Sequence, residues 1–196
     1  MAHVRPLGGP LQVRAPRPPG RRLALSAPSA RLYGLAMTER RDLAASLATT
    51  WFGAELSPHA RAAFLDLARV VELSPDAELT REGELTTEFG LVLSGRVALR
   101  LVVPGRGRTT IMTVEPGDVV GWSAVVPPYR ATSTAVTVGQ VRALVVESVA
   151  LRAALRADDA LAASLYPRLL ETMARRLQGT RLQLLDLFSG QMEGAW

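Results

Sequence analysis

The stretch Pro116-Gly117-Asp118-Val119-Val120-Gly121-Trp122-Ser123-Ala124-Val125-Val126-Pro127-Pro128-Tyr129-Arg130-Ala131-Thr132 departs from a plain alternation of strand and turn. Two glycines flank a short apolar run, small residues then open what reads as a single helical turn, and Pro127-Pro128 cut it off. The start of a helix presents backbone N–H groups that lack intrahelical partners, at the positive end of the aligned peptide dipoles, which suits a phosphate. Arg130, nine residues after Gly121, supplies a guanidinium able to pair with the same anion through two parallel hydrogen bonds. The plainer reading of the same residues is a solvated turn that carries an arginine.

Other chemistries are poorly supplied. The chain of 196 residues has no Cys and two His, so thiolate nucleophiles, disulfides, iron–sulfur clusters and thiolate zinc sites are excluded. His3 and His59 lie far apart, which leaves a histidine-built metal centre or a Ser/His/Asp triad without its parts. A small β-barrel metalloenzyme needs His and carboxylate ligands clustered on strands, and the strand-rich region contains no His. The expected class is therefore a binding protein and not an enzyme, with no metal and no cofactor beyond a regulatory ligand.

The net charge of +5 points at first to a nucleic acid or a membrane surface. Its distribution removes that reading: six of the 23 cationic residues, all arginine, precede Met37, and the first acid is Glu39. The remaining 17 arginines face 18 acids, so the body is close to neutral. Residues 1–36 also hold six of the 13 prolines and show neither a 3.6- nor a 2-residue period; a disordered basic extension is expected there. No apolar run approaches the roughly 18 residues of a membrane-spanning helix, and a cytoplasmic location is expected.

The elements that must position the Gly121–Thr132 segment follow from periodicity. Leu43, Leu47 and Trp51 recur every four residues in a first helix. Ser57-Pro58 opens a second, as N-cap and first helical residue, with Phe64, Leu65, Leu67, Ala68 and Val71 on its apolar side. From Val71 to Glu147 short runs rich in Val, Leu and Thr are punctuated by glycine and proline turns. The strands read as Phe89–Leu93, Val97–Val103, Thr109–Val114, Thr132–Val138 and Val141–Val146 in an all-β barrel or sandwich. Helix returns at Ser148–Arg156; Asp158-Asp159 cap a further segment, and Pro167 marks a fresh start.

The last helix carries Leu170, Met173, Leu177, Thr180, Leu184 and Leu187 at spacings of 3, 4, 3, 4 and 3, a heptad seam. With Leu169, Leu182 and Leu185 on a second face, the expectation is a helix held between its own barrel and a partner helix, in a homodimer. Packing on its own barrel alone is the plainer alternative.

Order and spacing together resemble the cyclic nucleotide-binding domains, in particular the sensor domain of the bacterial catabolite activator family. Gly83-Glu84 and Gly95 around Phe89–Ser94 are similar to that family's glycine-marked hairpin. Pro116-Gly117-Asp118 matches the turn before its phosphate-binding cassette, and Arg175-Arg176-Leu177-Gln178-Gly179-Thr180 resembles the part of its long helix that faces the nucleotide. The likeness runs from about Ser57 to Phe188 within a domain of residues 37–188, followed by a tail of 189–196.

What the resemblance implies is a mainly β fold with flanking helices, a double-stranded jelly-roll-like β-roll, N-terminal helices and a long C-terminal helix. It implies a ligand-sensing regulatory module for cAMP or cGMP, with phosphate on the backbone around Gly121, Trp122, Ser123 and Ala124. The Ser123 hydroxyl and Arg130 would add to it, the lining would continue through Ala131 and Thr132, and Arg176 and Thr180 would close from the long helix. Where the family's cassette has an acid for the ribose 2′-hydroxyl this chain has Trp122, which either stacks on a ligand ring or fills the pocket. A degenerate dimerisation module of the same fold is the alternative. The family's transcription factors continue into a helix-turn-helix, for which the eight residues after Phe188 are too few, so no DNA binding by this chain is expected.

Overall fold

The computed structural model describes residues 37–192; the expected extension 1–36 and the final residues of the expected tail lie outside them. Helix α1 (Met37–Thr49) buries Leu43 and Leu47. It stops short of Trp51 because the Thr50 hydroxyl accepts a hydrogen bond from the Gly53 N–H (2.9 Å) and caps a new short helix, α2 (Trp51–Ala54). Helix α3 (Pro58–Leu67) begins as the sequence predicts, with Ser57 Oγ accepting from the Ala60 N–H at 3.1 Å and Pro58 in the first turn.

The strands are β1 (Arg69–Leu73), β2 (Glu78–Thr80), β3 (Glu88–Val103), β4 (Gly107–Val114), β5 (Val119–Val120) and β6 (Thr134–Glu147). All pairs are antiparallel in the order β1-β6-β3-β4, with β2 on β6 and β5 on β3. Where the sequence suggests two strands on either side of Gly95, the structure has one bent strand. The register with β6 shifts at Ser94 and again before Arg96. Gly95 sits at φ 81°, where a Cβ would lie 2.2 Å from the Gln140 carbonyl oxygen, so glycine permits a bulge in place of a turn. The predicted pair Thr132–Val138 and Val141–Val146 is likewise continuous as β6.

Ala143–Val146 is apolar throughout because both faces of β6 are covered there. Ala143 and Val145 enter the barrel interior with Val71, Val92 and Val97, while Leu144 and Val146 join the layer under the helices. Phe89 anchors that second layer, 5.9 Å from Phe52 and 6.0 Å edge-on from Phe64. The architecture is thus mainly antiparallel β with flanking helices and a long C-terminal helix.

Helix α4 (Ser148–Ala157) is followed by α5 (Asp159–Met192). The Asp158 carboxylate accepts from the Leu161 N–H (2.9 Å), the predicted cap. Pro167, read from the sequence as a helix start, lies inside α5. Leu161, Leu165 and Leu169 are all buried on one side of it, and that shared packing holds the turns before and after the proline in line. The helix also continues past the domain boundary expected at residue 188. Among the described residues no helix is long and apolar enough to cross a membrane.

Candidate functional site

After β5, Gly121 turns the chain at φ 74° into a 3-10 turn, Trp122–Ala124. Only glycine fits: a Cβ would meet the Glu88 carbonyl oxygen at 2.5 Å. The Ala124 and Val125 N–H groups close the turn on Gly121 and Trp122 (2.9 and 3.1 Å), which leaves those of Trp122 and Ser123 without partners inside it. The carbonyl end is held from behind by α4, where Arg152 donates to the Ala124 carbonyl at 2.5 Å and its guanidinium lies 4.5 Å from the Tyr129 ring centre. Arg152 had no signal in the sequence, since its partner is a backbone carbonyl reached only through the tertiary fold.

A groove of about 410 Å³ opens in front of the turn. Leu99 and Met112, paired in register across β3 and β4, form its floor; Trp122, Thr132 and Ser133 form one side. Met173, Arg176, Leu177 and Thr180 of α5 form the other. Trp122 is half-buried, packs at the edge of the helix-side core and makes a wall, so it does not fill the space. Behind it a recess of about 20 Å³ is lined by Gly121, Ser123, Ala131 and again Arg176. Ser133 and Met112 were missed; their signal, alternation on paired strands, becomes readable only once the register is known.

Among the described residues Arg176 is the one charged side chain lining the groove. Its guanidinium donates to the Val119 carbonyl, and burial pushes its pKa down, against the opposing influence of Asp118. A cation short of solvent is the environment in which an anionic ligand gains most. Next to it Arg175 pairs with Asp118 (2.6 Å) and lies 3.4 Å over the Trp51 ring centre, while Arg168 donates to the Trp51 carbonyl (2.9 Å). Helix α5 is thus tied both to the strand that leads into the 3-10 turn and to α2.

The structure brings together Gly121, Trp122, Ser123, Ala131, Thr132, Arg176 and Thr180, which line these two spaces. Ala124 is buried in the turn. Arg130 is placed differently from the expectation: it is exposed, donates to the Gly83 carbonyl at 2.8 Å, and lines neither space. The cause is backbone pairing. Thr86 N–H to Tyr129 O, Ala131 N–H to Glu84 O and Gly83 N–H to Ala131 O, each at 2.8 Å, zip residues 129–131 against 83–86. In such an extended segment successive side chains alternate, so burying Ala131 turns Arg130 outward. The Ser123 hydroxyl is shared with Thr86 Oγ1 at 2.8 Å in a buried pair, which leaves one of the two hydroxyl protons for another acceptor. The Thr180 hydroxyl donates to the Arg176 carbonyl one turn back (2.9 Å) and keeps its lone pairs for a ligand donor.

Along the predicted seam, Leu170 and Leu177 are 65% and 53% exposed, and Met173 and Thr180 face the groove. The side chains of Leu184 and Leu187 lie outside the described residues. Leu182 and Leu185, expected on the barrel side, are each 63% exposed, because α5 has by then run past the barrel.

Residues 70–158 of this fold, which include the 3-10 turn, match the model of the cyclic nucleotide-binding domain. It is 30% identical over 140 residues to the CRP-like cAMP-activated global transcriptional regulator of Mycobacterium tuberculosis, a match covering 71% of this chain and 60% of that relative. The fold is similar to a cyclic nucleotide-binding domain from Methylobacillus flagellatus (TM-score 0.65, 18% identity, 80% of this chain and 94% of the other). It is also similar to the Thermus thermophilus catabolite activator protein (TM-score 0.55, 24% identity, 74% and 63%).

Proposed function

We propose that the chain is a sensor and regulatory module that takes a cyclic mononucleotide, cAMP or cGMP, into the groove between the 3-10 turn and α5, and signals through α5. The observation that carries this is Arg176, a desolvated guanidinium that lines the groove from the helix itself. A cyclic phosphodiester there would meet the guanidinium and the first N–H groups of the turn, with the purine against Trp122 and its exocyclic edge near Thr180. Because Arg176 also holds the Val119 carbonyl, an anion in the groove changes what ties α5 to the barrel. The role is binding, with no catalytic step.

The test is thermal unfolding of the full chain with cAMP or cGMP, beside Arg176→Gln and Arg130→Ala. A ligand at a hundred times its Kd adds about 2.7 kcal/mol, a Tm rise of about 5–10 °C for a chain of this size. The rise is expected to vanish in Arg176→Gln and to persist in Arg130→Ala. Loss in Arg130→Ala with retention in Arg176→Gln would reverse the assignment, and no rise with either nucleotide would overturn it.

A second reading is favoured by the exposed leucines of α5: a homodimerisation module through the Leu170–Leu187 seam, independent of ligand. Sedimentation of the full chain without nucleotide checks it. A dimer that Leu177→Glu converts to monomer supports the seam, and a monomer at high concentration removes it.

A further inference from the structure

We infer that this groove reads the negative charge and the ring faces of its ligand and leaves a ribose 2′-hydroxyl unread, so that a 2′-deoxyribose cyclic nucleotide binds as tightly as the ribose form. This rests on the cyclic-nucleotide reading above and narrows the ligand class it admits.

A sugar hydroxyl is a hydrogen-bond donor, and a site that strongly prefers the hydroxylated sugar supplies a charged acceptor, whose bonds are roughly twice as strong as neutral ones. Among the described residues no carboxylate lines the groove or the recess behind it. This holds wherever in the groove the sugar lies. Two nearby acids stand outside both spaces. Asp118 is 2.6 Å from Arg175. Glu88 is ion-paired with Arg69, and the barrel cavity it borders behind Val120 and Gly121 has a volume of about 20 Å³, room for a water and not for a sugar. Position 122, which follows the left-handed Gly121 and stands in the groove wall, is a tryptophan.

The acceptors that remain are neutral: the hydroxyls of Thr132, Ser133 and Thr180. Such groups bond to water as readily as to a sugar, so removing the 2′-hydroxyl exchanges one for the other at little net cost. The rest of the wall (Leu99, Ile111, Met112, Trp122, Leu177) is apolar and gains nothing from a hydroxyl.

The experiment is calorimetric titration of the full chain with cAMP and with 2′-deoxy-cAMP, both as 3′,5′-cyclic phosphates. The expected result is two dissociation constants within about threefold of each other, a difference below about 0.7 kcal/mol. A deoxy form weaker by more than that overturns this inference and leaves the cyclic-nucleotide reading intact. Failure of both nucleotides to bind overturns the two together. In Trp122→Glu a preference for the ribose form of about tenfold or more is expected, and an unchanged ratio overturns the attribution to position 122. The wild-type comparison stands whether or not that variant folds.

Discussion

Helix α5 has two halves that do opposite things. Up to Thr172 it is part of the core, with Leu161, Leu165 and Leu169 between 0% and 2% exposed under α3 and the β3–β6 face. From Met173 onward it lines the groove with Met173, Arg176 and Thr180 and carries Leu177, Leu182 and Leu185 more than half exposed. Leucine is frequent in both halves. What changes is whether the barrel lies beneath. The first half is fixed by burial, and the second is held to the barrel through Arg175 and Arg176 while its outer face stays exposed.

The sharpest way to break that comparison is a matched pair of truncations. Leu165→Ala removes a fully buried side chain and is expected to cost about 2–5 kcal/mol in denaturant unfolding. Leu185→Ala, on the same helix, is expected to change stability by less than about 0.5 kcal/mol when measured at low protein concentration. Equal costs would mean that the distal half is as much a part of the fold as the proximal half.

The same division explains which features the sequence made legible. Ser57 and Asp158 were readable as caps because a cap depends on residues three positions away, and both hydrogen bonds are present. The β region and the long helix were readable because alternation and heptad spacing are local patterns. Pro167 was misread as a start, since local chemistry says break and tertiary packing of Leu161, Leu165 and Leu169 overrules it. At the site, Gly121 and the turn after it were legible from spacing, and Arg176 and Thr180 from the resemblance. Arg130 was not: its direction is decided by pairing with residues some 45 positions earlier, a bridge to Leu85 that no local pattern announces.

A smaller effect is expected at the hinge between barrel and turn. Gly121→Ala places a Cβ against the Glu88 carbonyl in a left-handed backbone, and a loss of about 1–3 kcal/mol is expected. Because Trp122 and Ser123 hang from that residue, the variant sharpens the comparison in a second way. Its nucleotide-induced Tm rise should fall by more than its unfolding free energy predicts, whereas Leu165→Ala should lose stability and keep the rise. A Gly121→Ala protein that binds normally would show that the turn's N–H groups do not hold the ligand.

The smallest effect lies at the start of α5 and is a matter of pH. Asp158 accepts from the Leu161 N–H at 2.9 Å and meets His59 Nε2 at 2.6 Å, and chiefly the backbone N–H, then the histidine, hold its carboxyl below the ordinary 3.8. A depressed carboxylate contributes stability that is present above its unfolded pKa and is lost as pH falls through the folded value. Asp158→Ala should therefore be less stable than the wild type near neutrality, and the gap should narrow in acid, below about pH 4. Denaturant midpoints of both proteins at about pH 7 and about pH 3 test this. A gap that stays constant across that range would mean that the cap acts through the backbone geometry of the α4–α5 junction and not through the carboxylate's charge. The carboxylate's charge would then add nothing to the start of α5, and the ionisable groups that tie the helix to its surroundings would be Arg168, Arg175 and Arg176.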